Sequence, residues 1–214
     1  MYKNNEIISE PYKGCLIKIV QDDDPATPRD FCNIGTMVCS HRAYNLGDEQ
    51  ADNVDLESLK GNAQILPLYL YDHSGISMST KPFSCAWDSC RVGIIFCTLE
   101  TAINAFKLPG DSNWSTIIQN SFQRDTDLSS AVREALEQEV VTYNDYLTGN
   151  VSGLVVESIN GFESDVIDSI WGYYPDHRVS ISNQWDNVLE EGKLIVDAWV
   201  HEQMELEIGN CANI

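Results

Sequence analysis

Basic residues are scarce in this sequence. Its 214 residues include 13 Lys and Arg against 33 Asp and Glu, which gives a formal net charge of −20. Such a surface has too few cations to neutralise phosphates, so direct binding to nucleic acid and docking on anionic membranes are both excluded as expected functions. The surplus of carboxylates predicts a partner that carries positive charge.

Long apolar segments are missing as well. The strongest runs are as short as Val92–Cys97, far below the roughly 18 residues that a membrane span needs. The opening residues, MYKNNEIISE, lack the basic and apolar regions of a secretory signal. The seven cysteines are an odd number, so at least one stays unpaired within the chain. We therefore expect reduced thiols and a cytoplasmic location.

What is present fits a folded protein. Hydrophobic residues make up 43% of the chain, which is enough to build a sizeable core. The length and the absence of repeats or an obvious linker predict a single domain over residues 1–214. No glycine-rich phosphate loop is visible, and we expect no cofactor.

Short β-prone runs bounded by turn residues recur along the chain and predict strands. They cover Gly14–Val20, Ile34–Ser40, Ile65–Tyr71, Ile76–Thr80, Arg91–Cys97, Val151–Glu157 and Val166–Tyr174. Leu99–Phe106 is expected to form a short helix, and residues 194–199 a helical face, whereas 204–208 alternate like a strand and stay open. The predicted class is α+β, with a mostly antiparallel sheet and a few packed helices.

The clearest helix is predicted over Leu128–Leu147. Its apolar residues recur at steps of four, four, three and four, and Gly149 follows as a C-cap. The apolar stripe consists of Val132, Leu136, Val140, Tyr143 and Leu147. The pattern places Glu139 beside this stripe, and it places Glu134, Glu137 and Asp145 on the opposite side of the helix.

Residues 69–90, YLYDHSGISMSTKPFSCAWDSC, form the densest group of chemically active side chains. Asp72, His73 and Asp88 could bind a metal together with His41 or His177, but the spacings match no standard pattern, and we predict no metal site. A nucleophile, Cys85 or Ser74, could use His73 as its base and Asp72 or Asp88 to orient the imidazole.

The third interpretation of this segment is structural. Asp72 and Ser74 form turns through hydrogen bonds to the backbone, and Gly75 supplies a permissive backbone position. Trp87 is then expected to anchor the following loop in the core. Turn chemistry explains most of these residue types, so Asp72, His73, Cys85 and Asp88 are only weak catalytic candidates.

Several long stretches, including the YDHSG and PFSCAWDS sequences, resemble a family of small proteins from bacteriophages and mobile elements. The stretches are Gln21–Asp48, Leu66–Gly93, Thr142–Leu154 and Ser169–Tyr173. The family pattern has Asp at the position of Cys32 and Gly at that of Cys90, which weakens any role that makes either cysteine essential. The resemblance implies a phage-encoded accessory protein in the bacterial cytoplasm and brings no assigned activity.

Charge and resemblance together favour a protein that inhibits a host or defence protein, in particular a nucleic-acid-binding one, through an acidic surface that imitates DNA phosphates. The candidate partner-binding residues are Glu134, Glu137, Asp145, Glu190 and Glu191. Two alternatives stay open. One is a hydrolase or metal-dependent enzyme that uses Asp72, His73 and Asp88, and the other is a minor structural or assembly protein.

Overall fold

A computed structural model describes residues 5–50, 54–55, 57–106, 127–160, 163–180 and 183–211. Contacts within the chain divide it into two compact units. Unit 1 combines Met1–Ala26 with Gly149–Ile214, and unit 2 is Thr27–Thr148. Unit 1 is thus discontinuous in sequence, with unit 2 inserted between its two segments. The expectation of a single domain stays a prediction.

The described residues contain nine strands and three α-helices. In chain order they are β1 (Glu6–Tyr12), β2 (Cys15–Gln21), β3 (Thr36–Cys39), β4 (Glu49–Gln50), β5 (Ala63–Asp72), β6 (Ile76–Ser79), β7 (Ser89–Thr98), α1 (Leu99–Ala105), α2 (Asp127–Thr148), β8 (Ser152–Asn160), β9 (Glu163–Tyr173) and α3 (Asp186–Cys211), with a 3₁₀ turn at Pro28–Asp30. Every strand pair is antiparallel except β3 with β4. The predicted α+β class with mostly antiparallel sheets is therefore confirmed.

Unit 1 is a four-stranded sheet in the order β1-β2-β8-β9, with α3 packed against it. Ile17, Leu154 and Val196 lie in its core and are fully buried. The sheet and the helix approach closely at Gly192, where an added Cβ would lie 2.5 Å from the Ile17 side chain. The glycine therefore sets how close α3 can come to the sheet.

Helix α3 also settles the segment whose conformation the sequence left open. Residues 204–208 are helical and continue the helix to Cys211. Met, Glu and Leu are strong helix formers, which outweighs the strand-like alternation of polar and apolar residues. The apolar residues of this alternation, Met204, Leu206 and Ile208, are all largely exposed.

Unit 2 is a five-stranded sheet in the order β4-β3-β7-β5-β6. Helix α2 packs on it through residues of the predicted stripe, and four of these are buried: Val132, Leu136, Val140 and Tyr143. Strands β3 and β7 come very close at Gly93, where an added Cβ would lie 1.9 Å from the Val38 carbonyl oxygen. Gly149 follows α2 with φ +70°, as expected for a C-cap.

A buried arginine joins three separate segments of unit 2. The Arg29 side chain is 6% exposed, and its guanidinium donates to both carboxylate oxygens of Asp48, at 2.8 and 2.7 Å. It also donates to Glu139 Oε2 at 3.0 Å and to the Gly35 carbonyl oxygen at 2.6 Å. Glu139 in turn accepts from the backbone amides of Ile34 and Gly35. The network fixes α2 to the loop that leads into β3.

One acidic residue of α2 was placed wrongly by the sequence. Asp145 is 3% exposed, although the helical pattern places it on the side away from the apolar stripe. A helical wheel assumes that only one face is covered, and here the last turns of α2 are buried on more than that face. Glu134 is exposed as predicted, and Glu137 is half-buried.

Candidate functional site

The end of the sheet in unit 2 brings the two aspartates of the 69–90 segment together. Strand β5 ends at Asp72, and His73–Gly75 form the turn into β6, with Ser74 at φ 54°. The Asp72 amide donates to the Asp88 carbonyl oxygen at 2.8 Å. This bond continues the β5–β7 ladder beyond Ser89, so the two aspartates lie side by side although they are 16 positions apart in the sequence.

Asp88 also holds the loop that precedes β7. Cys85 Sγ donates to Asp88 Oδ2 at 3.3 Å, and His73 Nδ1 lies 3.6 Å from the same oxygen. The Ser89 hydroxyl donates to the Cys85 carbonyl oxygen. Three of the four catalytic candidates, His73, Cys85 and Asp88, are thus in one cluster, and Asp88 stands between the thiol and the imidazole.

This order does not match a nucleophile, base and orienting carboxylate. In that arrangement the imidazole lies between the nucleophile and the carboxylate. Here the contact of the thiol is with Asp88, and the 3.6 Å between His73 and Asp88 is longer than a hydrogen bond.

Asp72 has a different partner. The Tyr44 hydroxyl donates to Asp72 Oδ1 at 3.3 Å, and the Tyr44 ring stacks on His41 with centroids 5.0 Å apart. The negative charge of Asp72 raises the pKa of the Tyr44 phenol above its ordinary value. These contacts place the loop after β3 beside the two aspartates.

The predicted role of Trp87 is wrong. Its side chain is 96% exposed, so it does not anchor the loop in the core. The loop is held by polar contacts instead, namely those of Cys85 with Asp88 and of Ser89 with the Cys85 carbonyl oxygen. Because these bonds fix the backbone, the indole is free to face solvent.

An open cleft of about 510 Å³ lies at this end of the sheet. It combines residues after β3 with residues at the end of β5 and at or just before the start of β7: Ser40, His41, Arg42, Asp72, Trp87, Asp88, Ser89 and Cys90. The sequence pattern gave no reason to associate Arg42 and Tyr44 with this site. Their signal is topological, because β3 runs antiparallel to β7 and its last residue, Cys39, pairs with Gly93 near the start of β7.

No metal centre forms in the part of the chain that the structure describes. No group of three or more His, Cys, Asp and Glu side chains is placed to hold an ion there. His41 and Asp72 line the same cleft, but both contact Tyr44, and His41 Nδ1 accepts from the Ala43 amide at 3.3 Å. The metal interpretation therefore gains no support from these residues.

The acidic candidates for partner binding differ in their burial and in their contacts within the chain. Glu190 accepts from Lys193 at 2.8 Å. Glu191 accepts from the Tyr173 hydroxyl at 2.8 Å, and burial together with this bond raises the pKa of Tyr173. Asp145 is buried, Glu134 and Glu190 are exposed, and Glu137 and Glu191 are half-buried.

Comparisons with models of known protein families, with curated proteins and with solved structures find no match for the chain. The resemblance to phage proteins therefore stays a prediction. None of the helices in the described ranges has both the length and the apolar character of a membrane span.

Proposed function

We propose that the protein binds and inhibits a partner macromolecule that has a basic surface. The observation that carries this proposal is the pairing of the basic side chains with carboxylates of the same chain. Six of the basic side chains in the described ranges are already paired with carboxylates of the chain itself: Lys13, Lys18, Arg29, Lys60, Arg178 and Lys193. The net charge of −20 already includes every cation, and because these six are tied to the chain's own carboxylates, the carboxylates that remain far outnumber the cations that remain. The outer surface therefore stays strongly negative.

The partner that fits this surface is a nucleic-acid-binding protein. Its basic cleft is built to receive phosphates, and carboxylates can occupy the same positions while complementary potentials speed the encounter. The resemblance to phage proteins suggests a host or defence protein in the bacterial cytoplasm as the target. Glu134, which is exposed, and Glu137, which is half-buried, lie one turn apart on α2 and are the residues to test first.

The experiment is capture of partners by the full chain, with duplex DNA as competitor. We expect a bound protein that DNA displaces and whose binding weakens steeply between about 0.05 and about 0.5 M salt, because surface charges are screened within roughly 10 Å at 0.1 M. The captured protein should also lose its nucleic-acid-binding activity in a stoichiometric mixture. Binding that ignores both salt and DNA contradicts the proposal.

A matched pair of variants separates a docking surface from general charge. Glu134→Gln with Glu137→Gln removes two charges from α2, and Glu202→Gln with Glu205→Gln removes two from α3. We expect weaker capture from the first pair than from the second. Equal losses contradict a docking surface on α2, because only the total charge then matters.

A hydrolase is the second candidate, favoured by the imidazole of His73, whose Nδ1 lies 3.6 Å from Asp88 Oδ2. An imidazole beside a carboxylate can accept a proton from a nucleophile or from water. A panel of chromogenic esters, phosphoesters and glycosides tests it with the wild type and with Asp88→Asn. Turnover that disappears in the variant supports an enzyme, and equal or absent turnover in both proteins removes this candidate.

A further inference from the structure

The exposed indole of Trp87 is the feature of the cleft that the acidic surface leaves unexplained. Tryptophan has a large apolar area, and its burial in a partner's pocket is among the strongest contributions to binding. Trp87 instead stands 96% exposed at a cleft of about 510 Å³, next to Asp88 in the chain. An aromatic face in this position is suited to stacking against a flat group of a ligand.

The carboxylates of the cleft are held in place and retain free acceptor atoms. The contacts described above use Oδ1 of Asp72, which accepts from Tyr44, and Oδ2 of Asp88, which accepts from Cys85 and lies near His73. Within the described residues, the other oxygen of each carboxylate remains available. Both aspartates line the cleft, and the backbone bond between them keeps them adjacent.

The charge of the lining selects a cation. The lining contains two carboxylates, those of Asp72 and Asp88, and one guanidinium, that of Arg42. The whole protein carries a net charge of −20. A phosphate or a carboxylate ligand would meet repulsion from Asp72 and Asp88. A cation would be drawn toward the protein by its overall field and then held by the two carboxylates.

Among biological cations, the guanidinium group matches this geometry most fully. It is planar, donates to carboxylates in a fixed fork and stacks on aromatic faces, whereas an ammonium is a compact and strongly hydrated charge. We propose that this cleft binds an arginine side chain of a protein partner, stacked on Trp87 and donating to Asp72 and Asp88. The inference rests on the proposed function, since it names the group of the basic surface that is recognised.

The test needs no identified partner. Three acetylated and amidated peptides of glycine and serine, identical except for one central arginine, lysine or citrulline, are titrated into the full-length protein by calorimetry. We expect the arginine peptide to bind about tenfold more tightly than the citrulline peptide, because citrulline keeps the shape and loses the charge. Equal affinity for the arginine peptide and either of the other two overturns the assignment.

Trp87→Ala is the decisive variant. A side chain that is 96% exposed can be removed without disturbing the core, so its loss reports on the ligand alone. We expect it to weaken the arginine peptide about tenfold, and Asp88→Asn or Asp72→Asn to do the same. Asp168→Asn, at an exposed carboxylate of β9, is the control that leaves binding unchanged. Unchanged binding in Trp87→Ala overturns the proposal.

The outcomes separate this inference from the proposed function. If the arginine peptide binds at the cleft but no basic partner is captured, the site is confirmed and the inhibitory function fails. If a partner is captured and depends on Glu134 and Glu137 but not on Trp87, the function stands and the arginine site fails.

Discussion

Replacing Arg29 with methionine should be the most damaging single change to the ion pairs of unit 2. The guanidinium is 6% exposed and makes four donor contacts, two to Asp48, one to Glu139 and one to the Gly35 carbonyl oxygen. Removing it leaves two partly buried carboxylates without a counter-charge. Loss of one partner from a buried ion pair costs about 3–5 kcal/mol.

The measurement is unfolding in urea, followed by circular dichroism. A loss of this size is a large part of the roughly 5–15 kcal/mol by which folded domains are stable, so the midpoint should move well outside experimental error. The matched control is Lys60→Met, which breaks the exposed pair with Glu57 and should cost less than about 1 kcal/mol.

A double variant tests the cause. If the unpaired charges are what destabilises Arg29→Met, then adding Glu139→Gln should restore part of the lost stability, since the amide oxygen can still accept from the Ile34 and Gly35 amides. The reasoning is refuted if Arg29→Met costs no more than Lys60→Met, or if the second substitution makes the loss larger.

Two further predictions follow from the packing of unit 2. Gly93→Ala should destabilise the protein by more than about 3 kcal/mol, because the new Cβ would meet the Val38 carbonyl oxygen, whereas Gly61→Ala in open space should cost about 1 kcal/mol for its positive φ; thermal unfolding of both variants compares them. Burial raises the pKa of the Cys39 and Cys97 thiols from 9.0 to about 11. Between these values the unfolded chain releases protons that the folded chain keeps, so the free energy of unfolding should fall as pH rises, by roughly 1.4 kcal/mol per pH unit for each thiol. Urea unfolding at about pH 8 and about pH 10.5 measures the fall, and a Cys39→Ala/Cys97→Ala variant that falls equally contradicts it.

Most of the secondary structure could be predicted from local sequence patterns. The spacing of apolar residues predicted α2 to within one residue at each end, and the sequence around Asp72–Gly75 predicted the hairpin turn. Both depend on residues that are near each other in the chain, where propensity and periodicity act. The helical end of α3 was left open because its alternation fits a strand and its composition fits a helix.

Contacts between distant residues could not be predicted in the same way. Arg29 and Glu139 are 110 positions apart, and their pairing follows only once α2 packs beside the turn that carries the arginine. Trp87 and Asp145 failed for a related reason, because their exposure depends on what the rest of the fold covers. The cleft likewise needed the β3–β7 pairing before Arg42 and Tyr44 could be associated with Asp72.

The discontinuous unit 1 has a consequence for synthesis on the ribosome. Strand β2 leaves the ribosome about 130 residues before its neighbour β8, and all of unit 2 emerges in between. Until β8 has been synthesised, a hairpin of β1 and β2 leaves one edge of β2, which includes Ile17 and Ile19, without a partner strand. A strand of another chain can pair with such an edge. Aggregation of nascent chains, and protection by chaperones that hold them, should therefore depend on how quickly translation passes through the inserted segment.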